Sequence, residues 1–196
     1  MKTRSFLALS LFATIFWLSN CQQQSSEVTT ASADVSAPKA DVVKRGEYLV
    51  SFAMCDDCHT PKIMTPHGPV FDMSRRFSGH PAEEPFASDN DKKKLITEQH
   101  IAIFSPGLTA AAGPWGVSYA ANLTPDDTGI GTWTEAQFMK AIREGKSKGM
   151  DGTRPLLPPM PWEVVRNMTD EDLKAVFAYL KTVKPVKNVV PNPKSL

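Results

Sequence analysis

Hydrophobic and polar positions divide the chain into stretches of different character. From Phe6 to Leu18 nearly every residue is apolar, behind a short positive start that carries Lys2 and Arg4. That run is too short to span a bilayer and has the form of a secretory signal, placing residues 1–20 in a signal peptide. From Gln22 to Ala40 the chain reads QQQSSEVTTASADVSAPKA, with no aromatic residue and no hydrophobic period. Such a segment buries too little surface to offset its ordering entropy, so residues 21–40 are expected to form a flexible tether, roughly 25 Å in root-mean-square span.

Periodicity begins near Asp41. Val42, Gly46, Leu49 and Ala53 recur at helical spacing, which predicts a helix over residues 41–54. Thr134-Glu135-Ala136-Gln137 is a capping box; it predicts a second helix with Phe138, Ala141 and Ile142 on one face, closed by Gly145. Thr169 and the acids Asp170, Glu171 and Asp172 open a third. Leu173, Val176, Phe177 and Leu180 form its apolar stripe, and Pro185 stops it. The first and last helices are expected to cross, with Gly46 permitting close approach to Phe177 or Tyr179. Between residues 60 and 118 Pro and Gly recur and periodicity is weak. This stretch is expected to be a long structured loop, with room for a short strand or helix between Leu95 and Phe104 and a solvated charge run at Asp91-Lys92-Lys93-Lys94.

Composition narrows the function classes. The 196 residues are 41% hydrophobic and 22% charged, values of an ordinary globular domain. Lys and Arg total 22 against 21 acids, so no strong field exists to recruit nucleic acid or an anionic membrane. Removing residues 1–20 leaves 20 against 21, a net charge of −1. The basic run at Lys92–Lys94 is read as wet surface, with a partner-docking patch as the alternative. No apolar run reaches the length of a membrane span. The three cysteines are too few for a disulfide scaffold. The first of them follows Leu18-Ser19-Asn20, a sequence similar to a bacterial lipobox, which makes Cys21 the expected lipid-bearing residue. The alternative is an ordinary signal followed by an incidental cysteine.

The other two cysteines stand in Cys55-Asp56-Asp57-Cys58-His59. C-x-x-C-H is the attachment signal of c-type haem. Two thiols three residues apart at a helix end reach the two vinyl groups on one porphyrin edge, and the adjacent imidazole then lies beneath the iron. A thioredoxin-like dithiol needs a preceding strand and a βαβ frame, and neither pattern is present. A zinc site needs a second ligand pair, and there is none. A structural disulfide leaves His59 unexplained.

The sixth iron ligand is sought among methionines and histidines. Met160 lies in Arg154-Pro155-Leu156-Leu157-Pro158-Pro159-Met160-Pro161-Trp162, a run that proline keeps out of helical conformation. A stiff extended loop suits holding a thioether at one point. Met54, Met139 and Met168 are read as core filler. Met64, Met73 and Met150, in Gly/Pro-rich loops, are the rivals, and His67 or His80 would give bis-His ligation. The proximal imidazole needs an acceptor for its other N–H, for which a loop carbonyl near Pro61 or Pro69 is expected. Asn122, Trp133 and Arg154 are candidate donors to haem propionates; each can equally serve packing or turn chemistry.

Further motifs sharpen the reading: Asn122-Leu123-Thr124-Pro125-Asp126, Thr128-Gly129-Ile130-Gly131-Thr132-Trp133, Phe138, Arg143-Glu144-Gly145, Pro159-Met160-Pro161 and Asp170-Glu171-Asp172-Leu173. With C-x-x-C-H they resemble class I c-type cytochromes, and in particular the haem domains in cytochrome subunits of membrane-bound bacterial alcohol, aldehyde and gluconate dehydrogenases. The resemblance covers residues 44–61 and 115–183. It implies His59 and Met160 as axial ligands and electron transfer as the activity. Those subunits usually carry three haem motifs and this chain has one; here Met160 lies 101 positions after His59, long for a minimal member.

The sequence therefore predicts an all-α, class I cytochrome c-like domain over residues 41–190. It would have three to five helices around one covalent haem c and a long irregular insertion between the C-x-x-C-H helix and the middle helix. Its expected work is one-electron transfer in the cell envelope, facing the periplasm and lipid-anchored through Cys21, without bond-making chemistry of its own. Expected partners are an envelope dehydrogenase and an oxidase or another cytochrome. The alternatives are a haem subunit fixed in a membrane dehydrogenase complex and an open-site haem sensor or peroxidase.

Overall fold

A computed structural model describes residues 39–86 and 90–196. The expected signal peptide, the expected lipid site at Cys21 and all of the tether but its last two residues lie outside the described residues. The elements run α1 (Ala40–Phe52), α2 (Cys55–His59), β1 (Lys62–Thr65), β2 (Gly68–Phe71), α3 (Asn90–Gln99), β3 (Ile103–Phe104), β4 (Ala110–Gly113), β5 (Gly116–Tyr119), α4 (Glu135–Glu144), α5 (Trp162–Val165) and α6 (Asp170–Leu180). Short 3-10 turns occupy Met73–Arg75 and Ser147–Gly149. Among the described residues no helix is long and apolar enough to cross a membrane.

Local signals in the chain account for α4 and α6. Both halves of the Thr134/Gln137 capping box form, Gly145 takes the left-handed conformation at the end of α4, and Phe138, Ala141 and Ile142 are buried. Thr169 accepts a hydrogen bond from the Asp172 amide, and the whole stripe Leu173, Val176, Phe177 and Leu180 is buried. The two helices meet through the rings of Phe138 and Phe177, whose centroids are 5.2 Å apart.

Helix α1 forms where expected, but its buried face is turned from the predicted one. Gly46, Leu49 and Val50 are buried, whereas Val42 is exposed and Ala53 lies past the helix end. The reason is how closely α6 crosses it. A Cβ at Gly46 would stand 2.0 Å from the Ala175 carbonyl oxygen and 2.7 Å from the Tyr179 Cβ. Contact is thus made at Ala175 and at Tyr179, one of the two expected partners. Arg45 clamps the same crossing through a bidentate pair with Asp172 at 2.8 and 3.1 Å.

Residues 60–118 correct the all-helical expectation. In place of one irregular loop they hold a β1–β2 hairpin, helix α3 and an antiparallel sheet in the order β3-β4-β5. The Asp91–Lys94 run belongs to α3, whose one buried residue is Ile96. Ile96, Ala112 and Val117 form a small second core, flanked by Phe86, Ile103, Tyr119 and Leu196. The chain beyond residue 190, past the expected end of the domain, joins this unit: Val117 and Lys194 exchange backbone hydrogen bonds of 2.7 and 3.1 Å.

Candidate functional site

The C-x-x-C-H segment is a helix of its own. Met54 breaks the chain from α1 with φ +54° and stands exposed, which corrects its expected role as core filler. The turn lets Cys55 begin α2 close to the main core while His59 ends it in a buried position. The two cysteines are unpaired. Burial, reinforced by the neighbouring Asp56 charge, pushes the Cys55 thiol up to about 11, and burial also raises Cys58. Dithiol oxidoreductases need a lowered thiol pKa. Both shifts run the opposite way.

His59 Nδ1 lies 2.8 Å from the carbonyl oxygen of Ala121. A carbonyl only accepts, so the proton sits on Nδ1 and Nε2 keeps its lone pair. Burial outweighs that hydrogen bond and lowers the His59 pKa, favouring the neutral ring. The acceptor is thus Ala121, and the expected carbonyl near Pro61 or Pro69 is corrected: the Pro61 oxygen accepts from the Asp72 amide.

A polar network that the sequence does not announce fixes α2 from the other side. Arg76 binds Asp56 in bidentate fashion at 2.9 and 2.7 Å and donates to the Tyr179 hydroxyl at 2.8 Å. Thr60 donates to Asp56 at 2.7 Å and accepts from the Phe77 amide at 3.0 Å. Burial opposes ionisation of Asp56, but the hydrogen bonds from Arg76 and Thr60 and the Arg76 charge overcome it and lower its pKa. The signal is present in the acid inside C-D-D-C-H and the Arg75-Arg76 pair, but nothing local joins residues twenty positions apart.

Met160 is half-buried and packs against the main core, as Cys55, Leu123, Trp133, Met139, Val165 and Met168 also do. Its loop is strapped to the end of α4, where Leu156 N–H donates to the Gly145 carbonyl at 2.6 Å and Ser147 N–H to that of Arg154 at 2.9 Å. The rivals are placed differently. Met64, Met73 and Met150 are exposed, as are His67 and His100. His80 is buried with both ring nitrogens engaged, Nδ1 with the Thr109 hydroxyl at 2.9 Å and Nε2 with the Glu84 carbonyl at 3.0 Å.

The three expected propionate donors also diverge. Asn122 is buried and its amide is spent inside the protein: Nδ2 donates to Thr128 and Val186 at 3.2 and 2.9 Å, and Oδ1 caps Thr124. It is a turn organiser, not an available donor. Trp133 is half-buried and packs against the main core. Arg154 donates to the Pro155 carbonyl at 2.9 Å and pairs with no carboxylate among the described residues; desolvation lowers its pKa.

The chemistry of these residues is that needed to hold a flat apolar macrocycle with a metal at its centre. The donor types suit it: α2 carries two thiols and an imidazole with a free Nε2, the proline loop carries a thioether, and half-buried apolar side chains of α2, the 122–133 segment, α4, the proline loop and α5 pack against the main core. Residues 43–184 match the family model described as cytochrome c. The chain belongs to the cytochrome c family. Members of that family hold haem c and transfer electrons.

Curated relatives agree. This cytochrome is 33% identical over 178 residues to the fructose dehydrogenase cytochrome subunit of Gluconobacter japonicus, covering 90% of the chain and 27% of the relative. It is 34% identical over 158 residues to the gluconate 2-dehydrogenase cytochrome c subunit of Pantoea cypripedii, covering 80% and 26%. A shorter stretch, 86 residues or 43% of the chain and 7% of the relative, is 46% identical to a nicotinate dehydrogenase subunit from Pseudomonas putida. The chain thus spans about a quarter or less of the length of each of these relatives.

Proposed function

We propose that this cytochrome carries one haem c, bound through thioethers to Cys55 and Cys58, with His59 Nε2 and the Met160 sulfur as axial ligands. The observation that carries this reading is the His59 Nδ1 hydrogen bond to Ala121, which leaves Nε2 free in a neutral, buried ring. When bound, the haem supplies a single-electron iron couple, whose potential thioether ligation raises. His59 and Met160 would saturate the iron, which disfavours the sensor or peroxidase alternative. Leu123, Trp133, Met139, Val165 and Met168, all packed against the core, would shield the macrocycle from water, and Trp133 and Arg154 would offer donors to its propionates.

The remaining expectations join this proposal: a signal peptide over residues 1–20, a lipid on Cys21, a tether to residue 40 and a domain from 41. Together they hold the domain beside a membrane on the periplasmic side. The electron donor we propose is an envelope dehydrogenase, as the relatives are named as cytochrome subunits of dehydrogenases, and the acceptor an oxidase or another cytochrome. Those names also favour a second reading, a subunit fixed in such a dehydrogenase; co-purification with it through detergent separates subunit from shuttle.

A redox-titrated visible spectrum of the exported protein, beside its mass, tests the core of the proposal. One added haem mass and a Met–iron charge-transfer band in the oxidised form are expected. Met160→Ala removes the band, lowers the potential and lets the reduced form bind carbon monoxide. A Met160→Ala spectrum and potential equal to wild type refute Met160 as ligand.

A further inference from the structure

The insertion reaches the proline loop through one side chain. Ser118, on β5 and 6% exposed, has its hydroxyl 2.6 Å from the Pro158 carbonyl oxygen, two residues before Met160. The carbonyl only accepts, so the hydroxyl donates there. Trp115 Nε1, at the β4–β5 turn, donates to the same hydroxyl at 3.2 Å and so favours the orientation that points its proton at Pro158. The remaining acceptor, the Ala111 carbonyl, is at 3.4 Å. Ser118 sits on a stiff support. Its strand pairs with β4 along one edge, Ser118 opposite Ala111, and with Lys194 along the other.

The loop needs such an outside contact. Residues 155, 158, 159 and 161 are prolines and carry no backbone N–H. Its backbone can therefore make few bonds to itself; one is Met160 N–H to the Leu157 carbonyl, at 3.2 Å. The bonds at Arg154 and Leu156 hold its beginning against the end of α4. Ser118 holds it next to Met160.

We propose that Ser118 is a positioning residue for Met160: the insertion sheet uses its hydroxyl to fix the proline loop and so keep the thioether on the iron. This rests on Met160 being an axial ligand. Without the bond, the Pro158 carbonyl loses its partner and the loop gains alternative positions, at a net cost typical of one hydrogen bond.

The test compares haem-loaded wild type with Ser118→Ala, Ser118→Thr, Trp115→Phe and Met160→Ala. In Ser118→Ala the reduced protein is expected to take up carbon monoxide roughly three- to tenfold faster, the factor one hydrogen bond sets on the fraction of open iron. Its charge-transfer band should bleach on warming well before far-ultraviolet circular dichroism reports unfolding. Ser118→Thr should restore both properties, and Trp115→Phe should shift them in the same direction by less, which keeps the idea testable if Ser118→Ala folds poorly. If Ser118→Ala matches wild type in carbon monoxide uptake, or loses its band only with global unfolding, while Met160→Ala loses the band, Ser118 does no positioning. If Met160→Ala keeps the band, the ligand assignment itself fails, a separate result.

Discussion

His59 Nδ1 and the Ala121 carbonyl oxygen stand 2.8 Å apart although 62 positions separate them along the chain. The contact depends on how tightly neighbouring backbone is layered. Gly79 N–H donates to the His59 carbonyl at 2.8 Å, while a Cβ on Gly79 would lie 2.5 Å from the Ala120 oxygen and 2.7 Å from that of Ala121. Only a residue without a side chain, here at φ +78°, lets the 77–80 segment lie against both α2 and the segment just after β5 that carries the acceptor.

Gly79→Ala should therefore push the Ala121 carbonyl away from His59. Overpacking of this kind costs about 1–3 kcal/mol. Denaturant titration of the loaded protein should show stability falling by that amount, and the proximal imidazole N–H resonance should move in the proton spectrum. An unchanged resonance would mean that the carbonyl does not orient the ring.

Covalent attachment should follow the two thiols. After denaturing electrophoresis, wild type is expected to retain haem on the polypeptide and the Cys55→Ala/Cys58→Ala double variant to retain none. Haem stain surviving in the double variant would contradict attachment through these cysteines.

The clamp between α1 and α6 sets an acid limit. The Arg45 hydrogen bond, aided by its charge and opposed by slight desolvation, holds the Asp172 carboxyl below the usual carboxylate range. A depressed folded-state pKa contributes stability above the unfolded carboxylate pKa and loses it as pH falls through the folded value. Wild type and Arg45→Gln should thus differ in thermal midpoint at neutral pH and converge in strong acid. Because Arg45 is half-exposed, salt should narrow the neutral-pH gap. A gap independent of pH would assign the effect to packing of the Arg45 stem.

If the lipid proposal holds, Cys21→Ala should release the protein from membranes into the soluble fraction, since residues 22–40 contain no apolar run. Persistence in the membrane fraction would remove the lipid from the proposal and shift retention to a protein partner.

Much of the helical frame is legible because its signals are local. The Thr134 capping box and the Leu173–Leu180 stripe each lie within a few turns of one helix, and both form as the pattern predicts. The face of α1 reads one step out of phase because Val42 and Ala53 look as apolar as Val43 and Val50; only the close crossing at Ala175 selects between them. The strands of the insertion give no period. In β4 all of Ala110–Gly113 is buried, so no polar residue alternates with an apolar one. In the β1–β2 hairpin the opposite holds, with Ile63, Met64, Val70 and Phe71 all exposed. Asn122 misleads for a related cause: its partners Val186 and Asn188 lie more than sixty residues away.

By itself the chain of residues determined the chemistry on offer, namely two thiols and an imidazole in one short helix and a thioether among prolines, because side-chain identity and close spacing are sequence properties. Tertiary structure alone decided that Ala121 orients His59, that Arg76 reaches Asp56 and that Ser118 meets Pro158. Every residue carries the same carbonyl group, so nothing in the sequence distinguishes the oxygen of Ala121 from those at Pro61 and Pro69. Which one arrives within hydrogen-bonding distance depends on how the backbone layers close, and that is settled only when the distant segments pack.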